Sequence, residues 1–127
     1  MYLNLSDFEM PAWVAEKAEK MASSGYTVAR YDQEKHIGLE GNRCAGFTGP
    51  IYPEATGRGY FAGLGVAPQF EGHGLGTLLF YRLLQREKEV GSQYMSLFTG
   101  ENNHARFIYL GAGFRIVRTF GVMLKEL

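Results

Sequence analysis

Hydrophobic positions recur with a helical period in two long stretches and with a strand-like period in several short ones. From Leu75 to Glu89, Leu75, Leu79 and Leu83 fall in register, flanked by Leu78, Phe80 and Leu84, with Arg82, Gln85, Arg86 and Glu89 on the opposite side. That pattern predicts an amphipathic helix closed by Gly91. An earlier helix is predicted from Pro11 to Ser24, where Trp13, Val14, Ala18, Met21 and Ala22 recur at helical spacing. Pro11 suits its first turn, Glu16 and Lys20 pair on its exposed side, and Gly25 suits its C-terminal cap.

Between and around these helices the period shortens. Tyr2 to Leu5 reads as a short strand or an extended lead-in, and Tyr26 to Tyr31 as a strand. His36 to Glu40 and Arg43 to Phe47 flank Gly41-Asn42, the composition of a two-residue hairpin. Ile51 to Arg58, with Pro53, Gly57 and few apolar positions, predicts a connecting loop. In Tyr60 to Val66 apolar residues lie on both sides, so this strand is expected to be covered on both faces. Gly63 and Gly65 inside it mark a bulge or a close approach by a ligand. Gln93 to Phe98 is a further strand. A short helix follows, with Asn102 or Asn103 as N-cap, Ala105, Ile108, Tyr109 and Ala112 as its apolar stripe, and Gly113-Phe114 as its C-cap. Phe114 to Leu127 is a β-like run with a break near Gly121.

Composition narrows the function classes. At 127 residues the chain is long enough for one domain, and 46 % apolar residues are enough to build a core. Thirteen basic residues balance 13 acidic ones, which argues against a nucleic-acid binder acting through bulk charge. The single cysteine, Cys44, cannot form an intrachain disulfide and suits a reducing cytoplasm; it reads as a small buried residue. Nothing resembles a signal peptide, and no run reaches the ~18 apolar residues of a membrane helix. His36, His73 and His104 show no metal-ligand spacing, so no metal is expected.

The chemistry concentrates between Gly63 and Thr77, where Ala67-Pro68 ends the strand and Gly72, Gly74 and Gly76 precede the long helix. Strand, glycine loop and helix N-terminus together present unpaired N–H groups and the positive end of a helix dipole, an arrangement suited to phosphate. A Walker loop is excluded because no Lys precedes Thr77, and the G-x-G-x-G spacing departs from the dinucleotide fingerprint. The segment Val66-x-Pro68-x-Phe70-Glu-Gly72-His-Gly74-Leu-Gly76-x-x-Leu79 instead resembles the cofactor loop of the GNAT N-acetyltransferase superfamily, Q/R-x-x-G-x-G/A, with Glu71 in place of Gln or Arg. Asn102-x-x-Ala105-x-x-x-Tyr109-x-x-x-Gly113-Phe114 resembles the family's later motif at every fixed position, one helix and one strand further on.

The resemblance implies a single GNAT-type domain over residues 1–127, an α/β fold. Its sheet would be mixed and mostly antiparallel, with helices on both faces and splayed central strands. Residues 1–25 could instead be a lead-in or the remnant of a preceding domain. Family members place two helices between the first strand and the hairpin. Here either those helices are missing, or the Pro11–Ser24 helix follows an earlier strand at Tyr2–Leu5. The implied activity is direct transfer of acetyl from acetyl-CoA to a primary amine. The pantetheine would lie along Leu64, Gly65 and Val66, and the pyrophosphate on the N–H groups of Glu71, Gly72, His73, Gly74, Leu75, Gly76 and Thr77. Tyr109 would be the acid for the leaving thiolate, with a core aromatic as its alternative, and Asn102 a pantetheine contact or merely an N-cap. The strand Glu that many members use as base is absent from Tyr60 to Val66, leaving Glu54, Glu101, His73, His104 or a water-mediated base. The acceptor would be a small molecule or a protein amine, a homodimer is compatible, and neither nucleic acid nor membrane is expected. Two alternatives stand beside catalysis: an acyl-CoA-binding module, and a structural or dimerisation domain that keeps only the fold.

Overall fold

The computed structural model describes residues 1–30, 36–97 and 105–116. The described strands are β1 (Tyr2–Asn4), β2 (Tyr26–Arg30), β3 (His36–Glu40), β4 (Arg43–Thr48), β5 (Ile51–Pro53), β6 (Gly59–Phe61), β7 (Leu64–Val66) and β8 (Tyr94–Ser96). The helices are α1 (Ala12–Ser23), α2 (Leu75–Glu89) and α3 (Ala105–Gly111), with single 3₁₀ turns at Leu5–Asp7 and Pro68–Phe70.

Strands β2, β3, β4 and β7 form an antiparallel sheet in that order. The β3–β4 hairpin turns at Gly41-Asn42 as expected, with Gly41 at φ 57°. Two sequence expectations change next. The stretch predicted as a loop after Pro50 contains β5, which pairs with β6 in register Ile51–Phe61, Tyr52–Tyr60 and Pro53–Gly59. The strand predicted from Tyr60 to Val66 is interrupted at Ala62-Gly63. The β4–β7 ladder and the β5–β6 ladder are one bent pair of strands, joined through Gly49 N–H to Gly63 O (2.9 Å) and Ala62 N–H to Pro50 O (3.0 Å). A glycine on each strand at the bend admits the change of direction.

Helix α2 holds this assembly together. Leu75, Leu78, Leu79, Phe80, Tyr81, Leu83, Leu84 and Glu87 are all buried, more of its circumference than one apolar stripe, because α1 packs on it as well as the sheet. Trp13 of α1 meets the Tyr81 ring edge-on at 5.1 Å. On the sheet side, glycines let the helix approach: a Cβ on Gly38 would stand 2.7 Å from Leu75 Cδ2, and one on Gly46 would stand 3.2 Å from Leu79 Cδ1. The opposite face leaves Phe47, Tyr52 and Tyr60 exposed. The expectation that the Tyr60–Val66 strand is covered on both faces therefore fails at Tyr60. Cys44, expected to be buried, is also exposed; it pairs with Leu39 across the hairpin, one residue out of step with Gly46, where the register shifts.

The N-terminal segment is part of the same core. β1 pairs antiparallel with β8, and Tyr2 also bridges Arg115 through two backbone hydrogen bonds of 2.9 Å. Leu3, Leu5 and Phe8 are buried. α1 thus follows an earlier strand, the second of the two arrangements considered above, but that strand lies beside β8 rather than beside β2. The β-like run after Ile116 lies outside the described residues.

Glu87 is the unusual member of the core. It is fully buried, neither carboxylate oxygen has a hydrogen-bond partner, and burial raises its pKa to about 7. Between the ordinary carboxyl range and pH 7 the unfolded chain has lost this proton while the native protein keeps it, so stability falls as pH rises. The span corresponds to about 3 kcal/mol. Equilibrium urea unfolding from pH 5 to pH 7 should therefore show Glu87→Gln gaining on the wild type at each step; parallel curves would contradict the burial argument.

Candidate functional site

The site begins at a strand edge. Gly49 N–H to Gly63 O and Ala67 N–H to Ala45 O (2.8 Å) bracket the Phe47–Gly65 pair, so residues 63, 65 and 67 turn their polar backbone groups toward β4. Leu64 and Val66 then turn their N–H and C=O groups the other way. On that side β7 has no strand partner among the described residues. Its continuation β6 does come alongside β8, through the parallel bridge Arg58–Tyr94 and a hydrogen bond from the Arg58 guanidinium Nη2 to Ser96 O at 3.0 Å. Among the described residues these two parallel strands meet at one end and share no ladder at the other, which leaves room for a slot between them. Of the three residues expected to hold pantetheine, Leu64 and Val66 offer backbone groups to that slot. Gly65 is hydrogen-bonded to β4, and its side facing Phe47 is closed, with a Cβ there 3.1 Å from the ring.

The slot runs into the glycine loop. Gly72 and Gly74 both have φ of +85°, a conformation that L side chains rarely adopt. Gly74 is the N-cap of α2 and contributes no side-chain cap, and the first ladder bond is Leu78 N–H to Gly74 O at 3.2 Å. The N–H groups of Leu75, Gly76 and Thr77 precede that ladder, as the free donors of a helix N-terminus do. Glu71 differs from expectation: its N–H donates to Pro68 O at 3.3 Å, closing the 3₁₀ turn. His73 is exposed and stacks on Tyr26 at 4.6 Å, facing α1. Sequence reasoning missed Lys17. Its Cε and Nζ lie 2.6 and 2.8 Å from where a Gly74 Cβ would be. Nothing in the local sequence marks this residue, because its placement comes from α1 packing against α2.

Tyr109 is set by the end of α3. Phe114 N–H donates to Tyr109 O (3.0 Å) and Gly113 N–H to Leu110 O (3.1 Å), with Gly113 at φ 106°. This is the Schellman arrangement, and its customary apolar contact is the Tyr109–Phe114 ring pair at 6.1 Å. The Tyr109 ring also lies 4.9 Å from Phe80 of α2, which in turn meets Phe61 of β6 at 6.5 Å. Burial raises the Tyr109 pKa, so the phenol keeps its proton at neutral pH. Asn102, Glu101 and His104 lie outside the described residues. Glu54 is paired with Arg58 at 3.5 Å. Among the described residues no three His, Cys, Asp or Glu side chains gather as a metal group would. The donor set is backbone N–H, backbone C=O and one phenol, which fits an extended acyl-pantetheine with a pyrophosphate at its end.

A splayed strand pair feeding a glycine-capped helix defines an acyl-CoA-type transferase fold, and the comparisons agree. The chain belongs to the acetyltransferase (GNAT) family, matching it over residues 3–114. Its activity is acetyl-CoA-dependent N-acetyl transfer. It is similar to the [ribosomal protein bS18]-alanine N-acetyltransferase of Haemophilus influenzae, 31 % identical over 116 residues covering 87 % of this chain and 77 % of that protein. Among solved structures it resembles the GCN5-related glucosamine N-acetyltransferase region of a fungal multi-domain GH3 β-N-acetylglucosaminidase. The TM-score is 0.67 at 12 % identity, over 88 % of this chain and 19 % of that one. It also resembles the aminoglycoside N-acetyltransferase AAC(6')-Iy in complex with CoA, with TM-score 0.56 at 13 % identity, over 100 % of this chain and 98 % of that one. Among the described residues, no helix is long and apolar enough to cross a membrane.

The glycine loop should be intolerant of side chains. Gly74→Val places a β-branched residue at φ +85°, and calorimetric titration should show acetyl-CoA affinity lowered by at least about tenfold while circular dichroism still reports a folded domain. Unchanged affinity would remove the loop from the site.

Proposed function

We propose that this domain acetylates the free amino terminus of a protein, with residues 1–127 acting as one unit. The observation that carries the site assignment is the edge of β7, without a strand partner among the described residues, leading through the glycine loop to the N-terminus of α2. Acetyl-CoA, when bound, supplies an activated acetyl thioester. In this reading the Leu64 and Val66 backbone groups hold the pantetheine, and the N–H groups of Gly72 through Thr77 receive the pyrophosphate. Lys17 supports that charge: an ammonium beside the positive end of a helix is unfavourable alone and favourable with an anion between them. Backbone N–H groups near Leu64 can polarise the thioester carbonyl, a type of contact worth about 3 kcal/mol.

Tyr109 keeps its proton for the departing thiolate, held at the slot by the Gly113-Phe114 cap. Asn102 stays in the assignment on motif grounds alone. Glu54 is held by Arg58 and His73 faces α1, so a base acting through water fits the described residues better than either side chain. The choice of a protein amino terminus rests on the similarity to the bS18-alanine acetyltransferase. A cytoplasmic location follows from the need for acetyl-CoA and agrees with an exposed, unpaired Cys44.

Steady-state kinetics tests the acid. Tyr109→Phe keeps the ring packing against Phe80 and Phe114 and removes only the hydroxyl. The account expects kcat to fall about 100-fold with acetyl-CoA affinity within about threefold of wild type. Undiminished turnover would make Tyr109 a core aromatic and nothing more.

A further inference from the structure

The exposed aromatic face has a role that the cofactor slot alone does not explain. Gly38, Gly46, Gly59 and Phe61 face α2, as their contacts with Leu75, Leu79, Glu87 and Phe80 show. Their sequence neighbours Phe47 and Tyr60 therefore point to the other side of the bent strand pair, and Tyr52 joins them as the register partner of Tyr60. These three are 49 %, 45 % and 41 % exposed for Phe47, Tyr52 and Tyr60 in turn. The Tyr52 and Tyr60 rings stack at 6.0 Å with 23° between planes. Between Phe47 and the tyrosine pair lies a track without side chains: a Cβ on Gly63 or Gly65 would meet only the Phe47 ring, at 3.5 and 3.1 Å.

We propose that this face, Phe47, Gly63, Gly65, Tyr60 and Tyr52, is the acceptor platform and takes an unfolded peptide terminus. The proposal rests on the acyl slot along β7 assigned above. On the other side of that strand pair Phe61, Phe80, Tyr109 and Phe114 are packed together. An amine attacking a thioester held at the β7 edge arrives from the side those rings leave free, which is the aromatic face. A backbone can lie flat on the glycine track, with its side chains against Phe47 and the stacked tyrosines.

The charges favour a peptide over a small polycation. Such an acceptor calls for several convergent carboxylates. Glu54 at the end of the platform is already paired with Arg58, whose guanidinium lies over the Tyr60 ring at 5.6 Å. That guanidinium already occupies a face of the Tyr60 ring, a resident positive charge that disfavours a polycation more than a single ammonium. Two cavities among the described residues, of about 450 and 260 Å³, lie elsewhere, and lysines line both (Lys88 in one, Lys17 and Lys20 in the other). Neither suits a cationic amine.

The test uses the full chain, a short unstructured peptide beginning with a free alanine, the same peptide acetylated at its terminus but carrying one internal lysine, and spermidine. Peptide affinity is measured by calorimetry without acetyl-CoA, and kcat and KM with it. The free-terminus peptide should be the preferred acceptor. Tyr52→Ala and Tyr60→Ala should each weaken its binding and raise its KM about tenfold, leaving kcat and acetyl-CoA affinity unchanged; Tyr52→Phe and Tyr60→Phe should restore both. Unchanged peptide affinity in the alanine variants, or preference for spermidine, would overturn the platform. Tyrosine-dependent peptide binding in a protein that fails to bind acetyl-CoA would support the platform and contradict the slot instead.

Discussion

A β-strand has two edges, and among the described residues β7 pairs along only one of them. Its ladder with β4 fixes residues 63, 65 and 67, which leaves Leu64 and Val66 facing a side with no strand partner among the described residues. An unpaired edge is ordinarily a liability, open to aggregation or slippage. Here the bend at Gly49 and Ala62-Gly63 separates the two halves: β6 stays beside β8 through Arg58, while β7 has no such partner among the described residues and ends against the glycine loop. Everything that can hold an extended cofactor follows from that divergence.

The divergence persists because α2 clamps it. Leu75 and Leu79 press into Gly38 and Gly46 closely enough that a methyl group at either glycine would have to displace something. A Cβ on Gly46 would stand 2.6 Å from the Gly65 carbonyl oxygen, so the same position also sets how near β4 and β7 approach. The burial that orders the helix thereby aims its N-terminus at the end of β7. At its far end the helix carries the unpartnered Glu87 into the core, against Gly59 of β6.

Most of the helices and the hairpin were legible from periodicity, because each buries a face with its own period: α2 through its leucines, the hairpin through Gly41-Asn42. The glycine loop before α2 and the cap of α3 were legible from motif spacing, and the Schellman cap gives the physical reason for part of it, since Gly113-Phe114 orients Tyr109. What was not legible depends on tertiary partners. β5 has the composition of a loop and becomes a strand only because Tyr60 lies opposite Tyr52. Lys17 reaches the glycine loop only through helix packing, and β1 pairs with a strand some ninety positions away in the chain. Glu71 reads as a ligand donor in the motif, yet its N–H closes the turn after Pro68. Tyr60 reads as one side of a covered strand, yet nothing among the described residues covers it.

The central claim is that the free edge of β7 holds acetyl-CoA. Amide hydrogen exchange, resolved by residue with and without acetyl-CoA, reads that edge directly. The account predicts strong slowing at Leu64 or Val66, and in the loop from Gly72 to Thr77. Gly65, already bonded to Phe47, should change little. Slowing confined to other parts of the chain, or none at these residues under saturating acetyl-CoA, would contradict it.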